Sequence, residues 1–387
     1  MSPIVNTHVH IPPNFSAFDT VDDLIQAARA QGVAALGVSN FFDISVYARF
    51  RDQARAAGIW PLYGVEFITV VPELQASGLR VNDPANPGRM YVTGKGIDPF
   101  RPQSAATAAI AARIRDGNDE RARRMVEKVA QVFADAGFDT GLTADQVIGA
   151  VALRGGVPRA WVSLQERHIA RAFQEQVAGL DPSRRAGVLH KVYGRESGVD
   201  LEDPVALQSE IRARLLKAGA PGFVPEVPLP FADAYAYITG MGGIPCYPIL
   251  ADGCDPVCQF EASPTRLARS LADLGIHAAE LIPVRNHRGV VDEYTQCLAD
   301  AGMIVMAGTE HNTCEQIPVD PFCVDGPVSP AARAVFFEAA CVVAAHADAV
   351  SRGCDGFVDS QGNLACDDQG RAALSMDGRR LVGGAPT

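Results

Sequence analysis

Between Ile4 and Val71 the chain alternates between two hydrophobic periods, and that alternation limits the folds open to it more than any other feature. Ile4 and Val5 begin a short apolar run that ends in Thr7-His8-Val9-His10, and a loop with Pro12 and Pro13 follows. Asp19 or Thr20 can cap the next segment, with Asp22 and Asp23 near its positive end. Leu24, Ile25 and Ala28 then recur at helical spacing before Gly32. Residues 33–38 read as a compact strand and 45–57 as a second helix, with Val46, Phe50 and Ala54 on one face and Gly58 behind it. Residues 59–71 contain a third strand. Strands joined by helices through such short connections predict parallel pairing and right-handed crossovers. In an α/β barrel the C-terminal ends of those strands carry the chemistry.

Beyond Pro72 the pattern breaks. Residues 73–100 are rich in Gly, Pro and Asn, with Asn86-Pro87-Gly88 an evident turn. Helices are predicted from 105 to about 178. One over 119–136 places Met125, Val129, Val132 and Phe133 on one side, and another covers 163–177. A further amphipathic helix spans 200–219, and 221–230 is a Pro-rich linker. The strand–helix alternation returns with a helix at 231–241, a strand at 244–250 and a helix at 264–274. A strand at 278–284 ends in Arg285-Asn286, and after a helix at 292–301 a last strand, 303–307, runs into Gly308-Thr309-Glu310-His311-Asn312. The predicted fold class is therefore α/β, a distorted parallel (β/α) barrel built from residues 1–72 and 231–350. A mainly helical insertion, 73–230, interrupts it. The insertion leaves directly after the strand bearing Glu66, so it is expected to start at the catalytic face and serve as a lid. The tail, 351–387, reads as a peripheral hairpin or a disordered segment.

The formal net charge of −11 argues against a broad nucleic-acid or anionic-membrane surface, though not against a local basic pocket. All nine cysteines fall from Cys246 onward; with no N-terminal signal pattern, reduced thiols in a cytoplasmic protein are expected. Cys254-x-x-x-Cys258 lacks the second pair that a zinc site of this type needs. The apolar stretch 331–350 contains Arg333, Glu338, His346 and Asp348, which marks it as a buried helix rather than a membrane span.

Two histidines at i and i+2 of a strand project to the same side, so His8 and His10 can share one divalent metal: zinc, manganese or iron. Glu66 ends the third strand and Glu310-His311 the last, which completes a five-residue candidate ligand set. Glu280, inside an apolar strand, is expected to orient a ligand histidine or act in catalysis. Arg285, with Asn286, is placed to clamp an anionic group of a small-molecule substrate. Gly94-Lys95-Gly96 lacks the spacing of a phosphate-binding loop, but Lys95 could reach substrate from a mobile lid. Glu166-Arg167-His168 reads as a solvated mid-helix face.

Residues 5–68 resemble the opening of a PHP domain, the module named for polymerases and histidinol phosphatase. The resemblance rests on His8-x-His10, Val38-Ser39-Asn40-Phe41 at the second strand and Gly64-Val65-Glu66 at the third. Ala278-Ala279-Glu280-Leu281, followed by Asn286, and Gly308-Thr309-Glu310-His311 resemble later motifs, so it extends over roughly 4–72 and 231–346. Asp19 falls near the family's first-loop aspartate. The chain departs from the pattern at Asn40-Phe41, which stands where the family has Asp-His. Tyr247-Pro248 replaces His-Pro, and Glu310 replaces an aspartate. The remaining donors suit one or two metals rather than three. The resemblance implies a metal-dependent phosphoesterase. A non-catalytic PHP module that binds a small molecule or partner is the alternative, argued from Phe41 and Tyr247. An amidohydrolase-like barrel also begins with His-x-His, but the middle strands here show no lysine or histidine ligand.

Overall fold

The computed structural model describes residues 2–313 and 315–383. Its sheet begins with the expected alternation: β1 (Ile4–Val9), α1 (Val21–Ala30), β2 (Val33–Phe41), α2 (Tyr47–Ala56) and β3 (Trp60–Val70). Thr20 caps α1 through the amide of Asp23 while the Asp23 carboxylate returns a bond to the Thr20 amide, so two otherwise unpaired donors are satisfied. Val21, Leu24, Ile25 and Ala28 are the buried face of that helix.

A short helix, α3 (Pro72–Ala76), leads to a strand within the segment expected to be insertion. β4 (Arg89–Lys95) returns antiparallel along β3, pairing Gly64 with Lys95 and Val70 with Arg89. The Gly- and Pro-rich segment before it is the reversal, tied by the Gly88 amide to the Leu79 carbonyl and by the Val71 amide to the Gly88 carbonyl. The insertion therefore does not start at residue 73, since 89–95 belong to the barrel wall. Its helices are α4 (Ala105–Asp135), α5 (Ala144–Gly155), α6 (Glu166–Ala178), α7 (Pro182–Tyr193) and α8 (Pro204–Ile211). They bury Met125, Phe133, Phe173 and Leu189 in one apolar cluster with Val38, Phe50 and Val65 of the barrel.

A two-residue strand, β5 (Leu229–Pro230), pairs with β3 and opens the return. There follow α9 (Phe231–Gly240), β6 (Ile244–Ile249), α10 (Pro264–Asp273), β7 (Ala278–Leu281), α11 (Arg288–Asp300), β8 (Ile304–Ala307) and α12 (Pro330–Ser351). Strand order is β1-β2-β3-β4-β6-β7-β8, with β4 antiparallel to both neighbours and the other main-path pairs parallel. The ring is nearly closed: the Glu310 amide donates to the His8 carbonyl at 2.8 Å and the His10 amide to the Glu310 carbonyl at 2.8 Å. Glycine makes that approach feasible. A Cβ at Gly37 would lie 2.5 Å from the Thr7 carbonyl oxygen, and one at Gly308 would lie 2.3 Å from the His8 Cβ.

α12 has the length and hydropathy of a bilayer span, but most of it is buried inside the structure, against β1, β8 and α11. The tail is more ordered than expected, because α13 (Asp368–Gly383) lies along α12. Gly378 makes the contact close, as a Cβ there would sit 1.9 Å from the Cys341 carbonyl oxygen.

Candidate metal centre

His8, His10 and Glu66 converge inside the strand C-terminal mouth, all three buried. His8 Nε2 lies 3.3 Å from His10 Nε2. Glu66 Oε2 lies 3.5 Å from His10 Nε2, and its Oε1 lies 4.0 Å from His8 Nε2. Donors held about 2.0–2.1 Å from a tetrahedral cation are themselves separated by roughly 3.3–3.4 Å. Two ring nitrogens that face each other at that distance, beside a carboxylate, fit a divalent cation with coordination positions left open for water or substrate.

The orientation of His8 is fixed from behind. Its Nδ1 meets Glu280 Oε2 at 2.7 Å, which fixes the ring with Nε2 turned towards His10. Glu280 Oε1 also accepts from Lys95 Nζ at 2.8 Å and from Thr7 Oγ1 at 2.6 Å. Burial alone would raise the Glu280 pKa, but Lys95 and then His8 outweigh it and bring the carboxyl down to about 2. Burial, and after it His8, holds His10 well below the ordinary histidine value, so its ring is neutral and free to ligate. Glu66 is pushed up to about 7 by burial, with Glu310 adding to the rise and His8 opposing it. A metal that binds below pH 7 must displace that proton. Its affinity is therefore expected to rise about tenfold per pH unit up to roughly pH 7 and to level off above. Titration calorimetry in buffers of different ionisation enthalpy checks this, and proton uptake on binding would contradict it.

Two residues expected among the ligands are engaged by other partners. Glu310 accepts from Arg285 Nη1 at 3.2 Å, from Arg285 Nη2 and from Asn312 Nδ2 at 2.7 Å; it borders the same mouth but is engaged by these donors. His311 turns away: its Nε2 meets the Ile317 carbonyl at 3.0 Å, its Nδ1 meets Thr309 Oγ1 at 2.7 Å, and its ring lies on Phe18. Both residues have left-handed backbone, with φ of 59° and 51°. The strand alternation that would aim their side chains into the mouth thus stops at β8.

The other singled-out residues divide in the same way. Arg285 faces the cavity beside Glu66 and Glu310. Lys95 is not on a lid; it is buried on β4, and its ammonium also donates to the Thr7 carbonyl and Ser39 Oγ, each at 3.0 Å. Asn286 is buried and holds the loop after β6, donating to the Leu250 carbonyl at 2.6 Å and Asp252 Oδ1 at 2.8 Å. Asp19 is on the surface beside Arg171. Asn40 clamps the loop after β1 through both the amide and the carbonyl of Ile11. Tyr247 donates its hydroxyl to the buried Glu261 at 2.8 Å, and Glu261 in turn caps the Leu250 and Ala251 amides. Asn40 and Tyr247, two of the positions that depart from the motif, are thus built into loop supports.

Opposite the three donors, a cleft of about 560 Å³ opens from His10 and Glu66, and the insertion walls it with Asn118, Arg121, Gln165 and Arg212. Gln165 and these arginines had no signal in the sequence, because only the tertiary fold brings the insertion over the mouth. Glu166 is no solvated mid-helix residue. It opens α6 and is clasped by three cations, while His168 is buried, its Nδ1 accepting from the Gln165 amide.

This ring of strands, with His-x-His on the first and a glutamate within the third, is an α/β barrel. No family model matches the chain. An error-prone DNA polymerase of Symbiobacterium thermophilum is 28% identical over 123 residues, a match covering 27% of this chain and 11% of that much longer protein. Two solved structures share the fold. One is an inferred metal-dependent phosphoesterase from Bifidobacterium adolescentis, with a TM-score of 0.56 and 16% identity, over 87% of this chain and 96% of that one. The other is an amidohydrolase from Chromobacterium violaceum with bound sulfate and no metal, with a TM-score of 0.52 and 19% identity, over 86% and 96%.

Proposed function

We propose that this protein is a metal-dependent hydrolase acting on a phosphoester of a small anionic molecule. The observation that carries the reading is the convergence of His8, His10 and Glu66, with His8 locked by the Glu280–Lys95 pair. When bound there, a divalent cation supplies Lewis acidity, bringing the pKa of water towards neutrality and polarising the ester. The protein's own groups do the rest. Glu280 keeps His8 in the ligating tautomer, and Thr7 and Lys95 keep Glu280 ionised. Arg285, its side chain 36% exposed, offers a guanidinium to the oxygens of the substrate on the side of the mouth where Glu310 anchors it. The cleft wall formed by the insertion limits water access and substrate size, which is the role of a lid.

Metal analysis of the purified protein, paired with turnover of aryl phosphate mono- and diesters, tests this. Turnover should vanish with a chelator and return with added metal. Arg285→Met should lower kcat/KM by about 10- to 150-fold, the worth of a charged hydrogen bond. Stoichiometric metal with no ester cleaved would instead favour the non-catalytic module. The likeness to the Chromobacterium amidohydrolase supports a second reading, cleavage of a carbon–nitrogen bond, and a parallel amide panel separates the two.

A further inference from the structure

The cleft beside His10 and Glu66 carries more positive charge than its carboxylates balance. Glu166 accepts from Arg121 Nη2 at 2.9 Å, Arg212 Nε at 3.1 Å and Lys217 Nζ at 3.0 Å. Glu226 is shared by Arg89 at 2.8 Å and Arg121 at 3.5 Å. Four cations on two carboxylates leave a surplus of two positive charges in a chain whose formal charge is −11. Of the other charged residues lining the cleft, Asp83 offsets Arg167, and Glu66, when ionised, reduces the surplus to one. Only 12% of the Arg121 side chain and 15% of that of Glu166 is exposed, so water screens that pair weakly. Burial acts to raise the Glu166 pKa, yet Lys217, Arg212 and Arg121 overcome it and hold the carboxyl below its ordinary value. Like charge confined in such a cleft is unfavourable until an anion enters it.

The cleft is lined by His10 and Glu66, two of the three proposed metal donors, so one molecule can reach both the subsite and the centre. We propose that Arg121, Arg212 and Lys217 form a second anion subsite, and that the substrate carries, besides the group cleaved, a distal phosphate-like anion that this subsite holds. The inference rests on reading His8, His10 and Glu66 as the metal centre. Three of the four cations belong to the insertion, which gives that segment a role in choosing substrate as well as in covering the site. Glu166 acts as the built-in competitor, since an incoming anion must share its cations.

That competition gives a test with opposite signs. Non-hydrolysable alkanediyl bisphosphonates of graded spacer length, and methylphosphonate, are titrated by calorimetry into the full-length, metal-loaded chain. The best bisphosphonate should bind at least about tenfold tighter than methylphosphonate. Lys217→Met, at a side chain 49% exposed, should cut that advantage severalfold. Glu166→Gln should enlarge it severalfold, which misfolding cannot imitate. The proposal is overturned if no spacer gives an advantage, or if neither variant moves it in its stated direction. Opposite shifts in the two variants without any metal-dependent turnover would support the subsite and remove the hydrolase reading alone.

Discussion

A chain with alanine at both His8 and His10 is expected to bind no divalent metal and cleave no ester while keeping its barrel. Only Glu66 of the three converging donors survives the change, and one monodentate carboxylate does not hold a divalent cation at micromolar concentration. The fold should persist, because Glu280 keeps Lys95 and Thr7 as partners after the His8 ring is gone. Thermal melting provides the readout. A metal at one hundred times its dissociation constant stabilises the wild-type chain by about 2.7 kcal/mol, and the double variant should show no metal-dependent shift. A variant that melts like the wild type and still gains stability from metal would place the site elsewhere.

The second large effect is expected at Lys95. Lys95→Met leaves Glu280 in the core with His8 and Thr7 but without its cation, and both Lys95 and Glu280 are almost wholly buried. Breaking one side of such a pair should cost about 3–5 kcal/mol in urea unfolding. The pH dependence has a definite sign. The folded Glu280 pKa of about 2 lies below that of an unfolded glutamate, about 4.3, so its contribution is present above the unfolded value and is lost as pH falls through the folded one. That contribution is about 3 kcal/mol, and it should shrink when Lys95 is removed. In Lys95→Met/Glu280→Gln the amide oxygen can still accept from His8 Nδ1 with no buried charge left unpaired, so much of the stability should return. A single Lys95→Met variant within about 1 kcal/mol of wild type would show that Glu280 does not depend on this pair.

The parts of the site legible in the sequence are those that follow strand periodicity. His8 and His10 share a face because they are two residues apart on β1, and the apolar runs of β2 and β3 placed Glu66 beside them. Glu280 inside an apolar strand was legible as a supporting carboxylate for the same reason. Glu310 and His311 were misread because consecutive left-handed residues abolish the alternation, and no residue type there signals it. β4 was hidden by the Gly- and Pro-rich turn before it, although Met90-Tyr91-Val92-Thr93 has the aromatic and β-branched character of a strand, with Met90 and Val92 buried. Once β4 lies in the barrel, Lys95 belongs to the core and not to a lid. The cations of the cleft are scattered from Arg89 to Lys217, so their meeting depends on how the insertion folds back, a matter of tertiary packing that local pattern does not carry.

The central claim is that His8, His10 and Glu66 hold the metal, and X-ray absorption spectroscopy of the metal-loaded chain tests it most directly. Loaded with zinc, the wild type should show two imidazole nitrogens and carboxylate or water oxygens at roughly 2.0–2.2 Å, with no sulfur. The imidazole scattering should disappear in the chain lacking His8 and His10. Sulfur at about 2.3 Å would contradict the account and move the metal to cysteines such as Cys254 and Cys258, whose Sγ atoms lie 3.7 Å apart.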